Sequence, residues 1–454
     1  MAVLAGHAPA ARSARAPRLA RVAVRRAQPR AAGEDATASD EREGGLRVVV
    51  AGGGPAGLLV AHDILARDPT ARVSVFERRP DWSADASAAS GRQYSIGLGA
   101  RGRDALTSAG LWDAVYSEGV ASDRFFIHAT DTRRFNIRQK AADGVPPSLL
   151  INRGVLCGVL ARELRERFGG DGGRVSLEFE SQIASVDLES SNVEVAHANG
   201  STQEHAYDLL VGADGVRSRV RQAMQDAGAC EAATRELKGG LKVIHGPMPS
   251  GLEPDAVHAF GGRYAKDDKD KARGKFGLFS IPAPGGNTCT LVSWEDESAP
   301  SDLLACEDGR ELSELIAERF PSYGAVSLES ANSVVAQKPT RSAIVSCDSY
   351  AYTNERAGSA AVLLGDAAHS TGGTLGQGAN SALQDAKALS EALCRLGESG
   401  GDVCSAAREY SAAQAPQGAR APRWRVATAS PCACASPRRR PIECSPTADR
   451  CALS

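Results

Sequence analysis

Leu46-Arg47-Val48-Val49-Val50-Ala51-Gly52-Gly53-Gly54-Pro55-Ala56-Gly57 decides how this chain is to be read. The β-branched run that ends at Ala51 lies between Gly45 and Gly52 and predicts a buried parallel strand. Gly52, Gly54 and Gly57 then fit G-x-G-x-x-G. The first glycine permits a tight turn, the second lets a pyrophosphate approach the backbone, and the third lets the helix pack against the strand. Behind the loop, Leu58, Leu59, Ala61, Ile64 and Leu65 have helical spacing, and Val73–Phe76 is a second strand closed by Glu77. Pro55 and Ala56 open that helix, whose free N–H groups suit phosphate. Glu77 stands where an acid bonds ribose hydroxyls. The unit predicts dinucleotide binding and leaves NAD or FAD open.

Outward from this unit, Asn152–Phe168 carries a helical apolar face, and Val175–Phe179, Ile183–Leu188, Asn192–Ala196 and Asp208–Val211 read as strands. Gly239–His245, Phe276–Ile281 and Thr288–Trp294 predict a separate antiparallel sheet, with a helix at Glu311–Phe320 packed on it. Val362–Leu364 returns to parallel-strand character, and Gly376–Leu396 is a long helix. The fold class is therefore α/β: a discontinuous Rossmann-like nucleotide domain with an inserted antiparallel-sheet substrate domain. Its expected parts are a leader at 1–42, a first nucleotide-binding part at 43–234 and a substrate-domain sheet at 235–350. A return strand and helix at 351–412 and a low-complexity tail at 413–454 complete it.

Composition narrows the class. The chain has 454 residues, 42% hydrophobic, with 53 basic against 55 acidic residues. Such a balance, without an aromatic-interleaved basic patch, argues against a nucleic-acid partner. No apolar run reaches the ~20 residues that span a bilayer. The body cysteines, Cys157 to Cys394, are scattered through apolar segments and read as buried free thiols. No metal-ligand spacing occurs, and Cys432, Cys434, Cys444 and Cys451 lack the paired short loops of a zinc site. Residues 1–33 hold seven arginines and no acid, the composition of an organelle transit peptide. A plastid address is favoured, with the mitochondrion as alternative. From Gln414 onward Arg, Pro, Ser, Ala and Cys dominate without apolar periodicity, as in a solvated tail.

Two more motifs follow strands. Asp214-Gly215-Val216-Arg217-Ser218-Arg219-Val220-Arg221 fits D-G-x-x-S-x-x-R, and Gly365-Asp366-Ala367-Ala368-His369 precedes Gly376-Gln377-Gly378-Ala379-Asn380. With the glycine loop, these three in order resemble the class A flavoprotein monooxygenases, the para-hydroxybenzoate hydroxylase family, over residues 46–395. Ser95-Ile96-Gly97-Leu98-Gly99-Ala100-Arg101-Gly102, Thr288-Cys289-Thr290-Leu291 and Phe320-Pro321 are most similar to the kynurenine 3-monooxygenase branch.

The resemblance implies FAD as cofactor, NADPH or NADH as co-substrate, O2, and a small aromatic substrate. It implies FAD contacts from Gly52, Gly54, Pro55, Ala56, Gly57, Glu77, Arg79, Arg153, Asp214, Gly215, Asp366, Gly376, Gly378, Ala379 and Asn380. Asp366 would bond the ribityl chain, and the helix behind Gly378 would direct its N-terminal dipole at the flavin pyrimidine. Arg101 would hold a substrate carboxylate, helped by Asn380 and Tyr116. No side chain is assigned acid–base catalysis, and His369 is read as a structural hydrogen-bonder. Arg221, with Arg217 and Arg219, is a candidate phosphate or NADPH patch. Gly373 stands where the family carries proline, and the family's helical C-terminal region gives out after Tyr410. Two other readings stay open: a plastid epoxidase or reductase acting on an isoprenoid or lipid, and an FAD-binding protein without turnover.

Overall fold

The computed structural model describes residues 45–81, 93–129, 132–137, 146–170, 172–262, 275–294, 300–373, 376–399 and 402–420. The leader, Thr374, Leu375 and the tail beyond Arg420 lie outside the described residues.

Arg47–Ala51 forms the expected strand, with Val48 to Ala51 buried. It pairs in parallel with Arg72–Phe76 on one side and Leu209–Gly212 on the other. The six-stranded sheet runs Ala351–Asn354, Ser359–Leu363, Leu209–Gly212, Arg47–Ala51, Arg72–Phe76, Val175–Glu178. All its pairings are parallel except the edge hairpin Ala351–Asn354 with Ser359–Leu363. Parallel strands need both faces covered, which explains their unbroken Val/Leu/Ala runs. The glycine-loop helix Pro55–Arg67, the helix Arg153–Phe168 and the long helix Gly378–Ser399 contribute side chains to the same core.

A second six-stranded sheet is ordered Gly240–Pro247, Asn287–Trp294, Gly277–Ala283, Ala256–Gly261, Arg124–His128, Arg134–Asn136. One of its faces packs on the helices Gly309–Arg319 and Leu328–Ala336 through Ile244, Phe260, Leu278, Val292 and Trp294. The other face carries Val257 and Ile281, with Phe125, Phe279 and Leu291 half-buried, against Leu150. Leu150 belongs to Ser148–Asn152, the middle strand of a small sheet with Ser95–Leu98 and Val120–Ser122. Two hydrogen bonds fasten the sheets together: Ser95 N–H donates to Cys289 Sγ at 3.3 Å, and His245 Nε2 lies 2.8 Å from Gln93 O.

Two expectations need correction. The substrate-side sheet is not confined to 235–350, because Arg124–His128 and Arg134–Asn136 join it from earlier in the chain. The strands read from the sequence pair antiparallel, as expected, and the added Arg124–His128 pairs in parallel with Ala256–Gly261. Helix also continues past Tyr410: Val403–Arg420 is helical through Pro416, and Cys404, Ala406, Ala407, Tyr410 and Ala415 are buried. The seven described cysteines are all free thiols, five of them buried. No helix of the described residues is long and apolar enough to cross a membrane.

Asp63 is a buried acid on the glycine-loop helix, 2% exposed, and its Oδ2 has no hydrogen-bond partner among the described residues. Burial pushes its pKa up to about 7. Since the folded pKa is raised, the group favours folding at low pH and loses that contribution as pH climbs from the usual carboxylate range to about 7. Asp63→Asn is therefore expected to match the parent's melting temperature near acid pH and to exceed it above neutrality. At about 1.4 kcal/mol per unit the gain reaches a few kcal/mol. A pH series of thermal melts checks this, and an unchanged difference across the series would contradict it.

Candidate functional site

The glycine loop is shaped by close approaches. Gly52 sits at φ +105°, and a Cβ there would lie 2.5 Å from Ala213 O. At Gly57 an added Cβ would be 2.0 Å from Gly52 O, so only glycine lets the helix start this near the strand. Gly53 N–H donates to Glu77 Oε2 at 3.0 Å, and Arg79 N–H donates to Glu77 Oε1 at 3.0 Å. Glu77, 6% exposed, thus braces the loop from the end of the second strand. A carboxylate has about four acceptor sites, so these two bonds leave capacity for ribose hydroxyls.

Asn152 caps the helix Arg153–Phe168, its side-chain oxygen accepting from Gly154 and Val155 N–H at 2.8 and 3.4 Å. The cap sets the direction of Arg153, whose Nη2 lies 3.6 Å from the position a Gly54 Cβ would take. Burial works to lower the Arg153 pKa, but the fields of Tyr94, Cys157, Asp366 and Glu77 outweigh it and hold it above its ordinary value. Arg79 lies nearby and is shifted down, by burial first and then by Arg153. Two guanidinium groups that repel each other beside an open helix N-terminus form a receptor for a polyanion.

Asp214 and Gly215 stand at the end of the strand Leu209–Gly212. Asp214 Oδ2 accepts Arg219 N–H at 2.6 Å, whereas its buried Oδ1 has no hydrogen-bond partner among the described residues. Burial raises the Asp214 pKa. Asp366 is exposed, and among the described residues its carboxylate accepts no hydrogen bond. A Cβ on Gly378 would lie 3.7 Å from Asp366 Oδ1, so the carboxylate and the first turn of the long helix adjoin. Gly376, at φ +62°, feeds that helix, and Ala379 follows half-buried. Gly372 and Gly373 also have positive φ, +66° and +77°. Proline, fixed near −65°, does not fit the Gly373 conformation.

The structure reassigns three residues. Asn380 is 1% exposed; its Oδ1 accepts Gly99 and Gly102 N–H at 2.9 and 3.3 Å, and its Nδ2 donates to Gly97 O at 2.8 Å. Its amide is engaged by backbone, so the expected substrate contact is withdrawn and replaced by a staple on Gly97–Gly102. Arg221 is 6% exposed and donates to Ala367 O at 2.7 Å and Val216 O at 2.6 Å. It clamps two motifs together and is not part of a surface patch; Arg217 and Arg219 are exposed. Tyr116, 46% exposed, has its ring 5.7 Å from Trp112, which also carries the Arg103 guanidinium at 4.6 Å. Its ring partner is Trp112, tilted by 46°, and among the described residues no contact joins it to Arg101.

Arg101 is exposed on the first turn of the helix Ala100–Ser108, with no ion pair or hydrogen bond among the described residues. His369 pairs with Asp385, a residue the sequence reading passed over; its signal is a lone acid on the apolar face of the long helix.

Among known proteins, a family model described as an FAD binding domain matches residues 45–416. The chain belongs to this FAD-binding family. A kynurenine 3-monooxygenase of Salinispora tropica is 31% identical over 380 residues, covering 82% of this chain and 76% of that protein. A violacein synthase of Chromobacterium violaceum is 27% identical over 364 residues, covering 77% of this chain and 78% of that protein. Among solved structures, 2-methyl-3-hydroxypyridine-5-carboxylic acid oxygenase has the same fold, with a TM-score of 0.63 at 21% identity, covering 84% of this chain and 91% of that one. The flavoprotein is thus placed among the FAD-dependent aromatic monooxygenases. The residues present fit FAD: the paired guanidinium groups, the orphaned Asp214 Oδ1, the free Asp366 carboxylate and the glycine cradle are what a flavin dinucleotide requires.

Asn380→Ala removes three backbone bonds from the segment that carries Arg101. The expected loss is about 2–3 kcal/mol of stability, at about 1 kcal/mol per bond, measured by chemical denaturation, with Asn380→Asp partly rescuing it.

Proposed function

We propose that this flavoprotein hydroxylates a small, kynurenine-like aromatic substrate with O2, using NADPH or NADH as reductant. The observation that carries this reading is the half-buried Phe125–Phe279 pair, with ring centroids 5.6 Å apart, on the sheet face packed toward Leu150. Gly97 lies against Leu150, its added Cβ falling 3.5 Å from Leu150 Cδ2, and Asn380 fixes Gly97 to the start of the long helix. The aromatic face therefore packs on the strand Ser148–Asn152, whose neighbour Ser95–Leu98 is tied to the long helix by Asn380. Apolar rings on that face suit a planar ring substrate and exclude water.

The bound flavin supplies hydride acceptance from the nicotinamide and activation of oxygen; the protein supplies position, dryness and charge. Arg153 and Arg79 would hold the pyrophosphate, and Asp366 would hold the ribityl chain. The N–H groups of Gly378 and Ala379, at the start of the long helix, would stabilise negative charge on the bound flavin. Arg101, an exposed cation on the stapled segment, is the group offered to a substrate carboxylate. The 31% identical relative named kynurenine 3-monooxygenase supports this substrate class.

A second reading, an FAD protein without turnover, draws on Gly372 and Gly373, whose left-handed backbone replaces the proline-fixed wall expected beside the flavin. Delivery to a plastid, with the mitochondrion as alternative, is inferred from the leader composition alone. Residues 1–42 fused to a fluorescent protein are expected to enter plastids in plant cells; diffuse fluorescence would refute the address.

Stopped-flow absorbance of the holoprotein with NADPH, with and without kynurenine, tests the main reading. Faster flavin reduction with kynurenine and a hydroxylated product are expected, and Arg101→Ala should raise KM more than it lowers kcat. NADPH oxidation without product would favour the second reading, and indifference to kynurenine would redirect the search to isoprenoid, lipid or other phenolic substrates.

A further inference from the structure

We propose that Asp385 is a positioning residue: it clasps both ends of the Gly365–His369 turn and so fixes how Asp366 is presented to the flavin. The proposal rests on the reading that Asp366 faces FAD. It concerns the turn and the long helix, and no contact of Asp385 with cofactor is implied.

Asp385 is 3% exposed, and a single oxygen does the clasping. Its Oδ2 accepts Gly365 N–H at 2.9 Å and lies 2.5 Å from His369 Nε2. The turn is closed on its other side by His369 N–H donating to Gly365 O at 2.8 Å. Gly365 adopts φ +56° and ψ −132°, a conformation that L side chains rarely hold, and a Cβ there would lie 2.7 Å from Ala382 Cβ. Glycine reaches this conformation freely and can leave it as freely, so the two bonds to Asp385 and the close packing on Ala382 are what hold the turn in it. Asp366 is the residue directly after Gly365, so any relaxation of the turn re-aims its carboxylate.

The same helix supplies both the clasp and the neighbour. Asp385 follows Gly378 by two helical turns, and Gly378 adjoins Asp366. Holding the turn to the helix therefore holds Asp366 in register with the helix N-terminus. Tyr350 faces the imidazole, with ring centroids 5.7 Å apart, and a Cβ on Gly418 of the last helix would lie 3.0 Å from His369 Cβ. Among the described residues the charged or titratable groups around His369 are thus Asp385 on the long helix, Asp366 on its own turn and the Tyr350 phenol, with the Arg221 guanidinium on Ala367 O of the same turn. Burial works against the imidazolium, but the Asp385 charge and hydrogen bond outweigh it and raise the His369 pKa.

A pair that served stability alone would alter melting temperature and leave cofactor geometry untouched. The discriminating experiment is a double-mutant cycle on FAD affinity in the full chain: parent, Asp366→Ala, Asp385→Asn and the double variant. Asp385→Asn keeps an acceptor for Gly365 N–H and removes the charge. The expected result is about a tenfold loss of FAD affinity in the parent background, falling to less than about twofold when Asp366 is already alanine. A shifted visible spectrum of the flavin bound to Asp385→Asn is also expected. Equal losses in both backgrounds would overturn the proposal and leave the Asp366 assignment standing. Unchanged affinity in Asp366→Ala would sink that assignment instead.

Should Asp385→Asn fail to fold, His369→Gln replaces it in the cycle with the same criterion. Because the imidazolium binds the Asp385 carboxylate more strongly than the neutral ring does, the parent's FAD affinity should decline as pH rises through the raised histidine pKa. His369→Gln should remove that slope; a slope that survives the substitution would contradict the clasp.

Discussion

At Gly57 the glycine-loop helix comes so near the end of the first strand that a methyl group would stand 2.0 Å from Gly52 O. That approach governs the nucleotide half of the molecule. It seats Pro55–Arg67 on the parallel sheet, where Ala56 to Leu65 are buried without interruption. It also leaves the helix N-terminus open at Gly54, with Arg153 above it. The glycine loop is consequently both a packing joint and an anion receptor, and neither role survives a side chain at that position. Repulsion between Arg153 and Arg79 is partly offset by the Glu77 carboxylate, whose charge favours both guanidinium groups.

The long helix Gly378–Ser399 organises the other half of the site. Its first turn lies beside Asp366, Asn380 staples the Gly97–Gly102 segment, and Asp385 clasps the Gly365–His369 turn. Lys387, two residues on, bridges to Asp104 at 2.7 Å on the helix that carries Arg101. One helix therefore registers the Gly365–His369 turn against the segment that carries Arg101. This division suits a reaction in which cofactor and substrate must meet edge to edge with little freedom.

Legibility in the sequence followed locality. The first strand, its glycine loop and Glu77 were readable because strand, turn and helix signals lie within one stretch of chain. The strands Arg124–His128 and Ala256–Gly261 were missed because their parallel pairing joins residues far apart in sequence. The helix Val403–Arg420 was hidden by its Ala-rich face and by Pro416, features that weaken periodicity while tertiary packing of Tyr410 and Ala415 still buries it. Asn380 and Arg221 sit in readable motifs, yet their roles are internal: backbone groups of Gly97, Gly99, Gly102, Val216 and Ala367 occupy them. A motif announces that a polar residue matters without saying whether it faces ligand or chain.

The most direct test of the account is a crystal structure of the FAD complex. The account predicts pyrophosphate oxygens within hydrogen-bond reach of Gly54 N–H and the Arg153 guanidinium. It also predicts a ribityl hydroxyl on Asp366 and the flavin pyrimidine at the Gly378 end of the long helix. A flavin bound with its pyrophosphate away from Arg153, or with Asp366 turned to solvent, would contradict it.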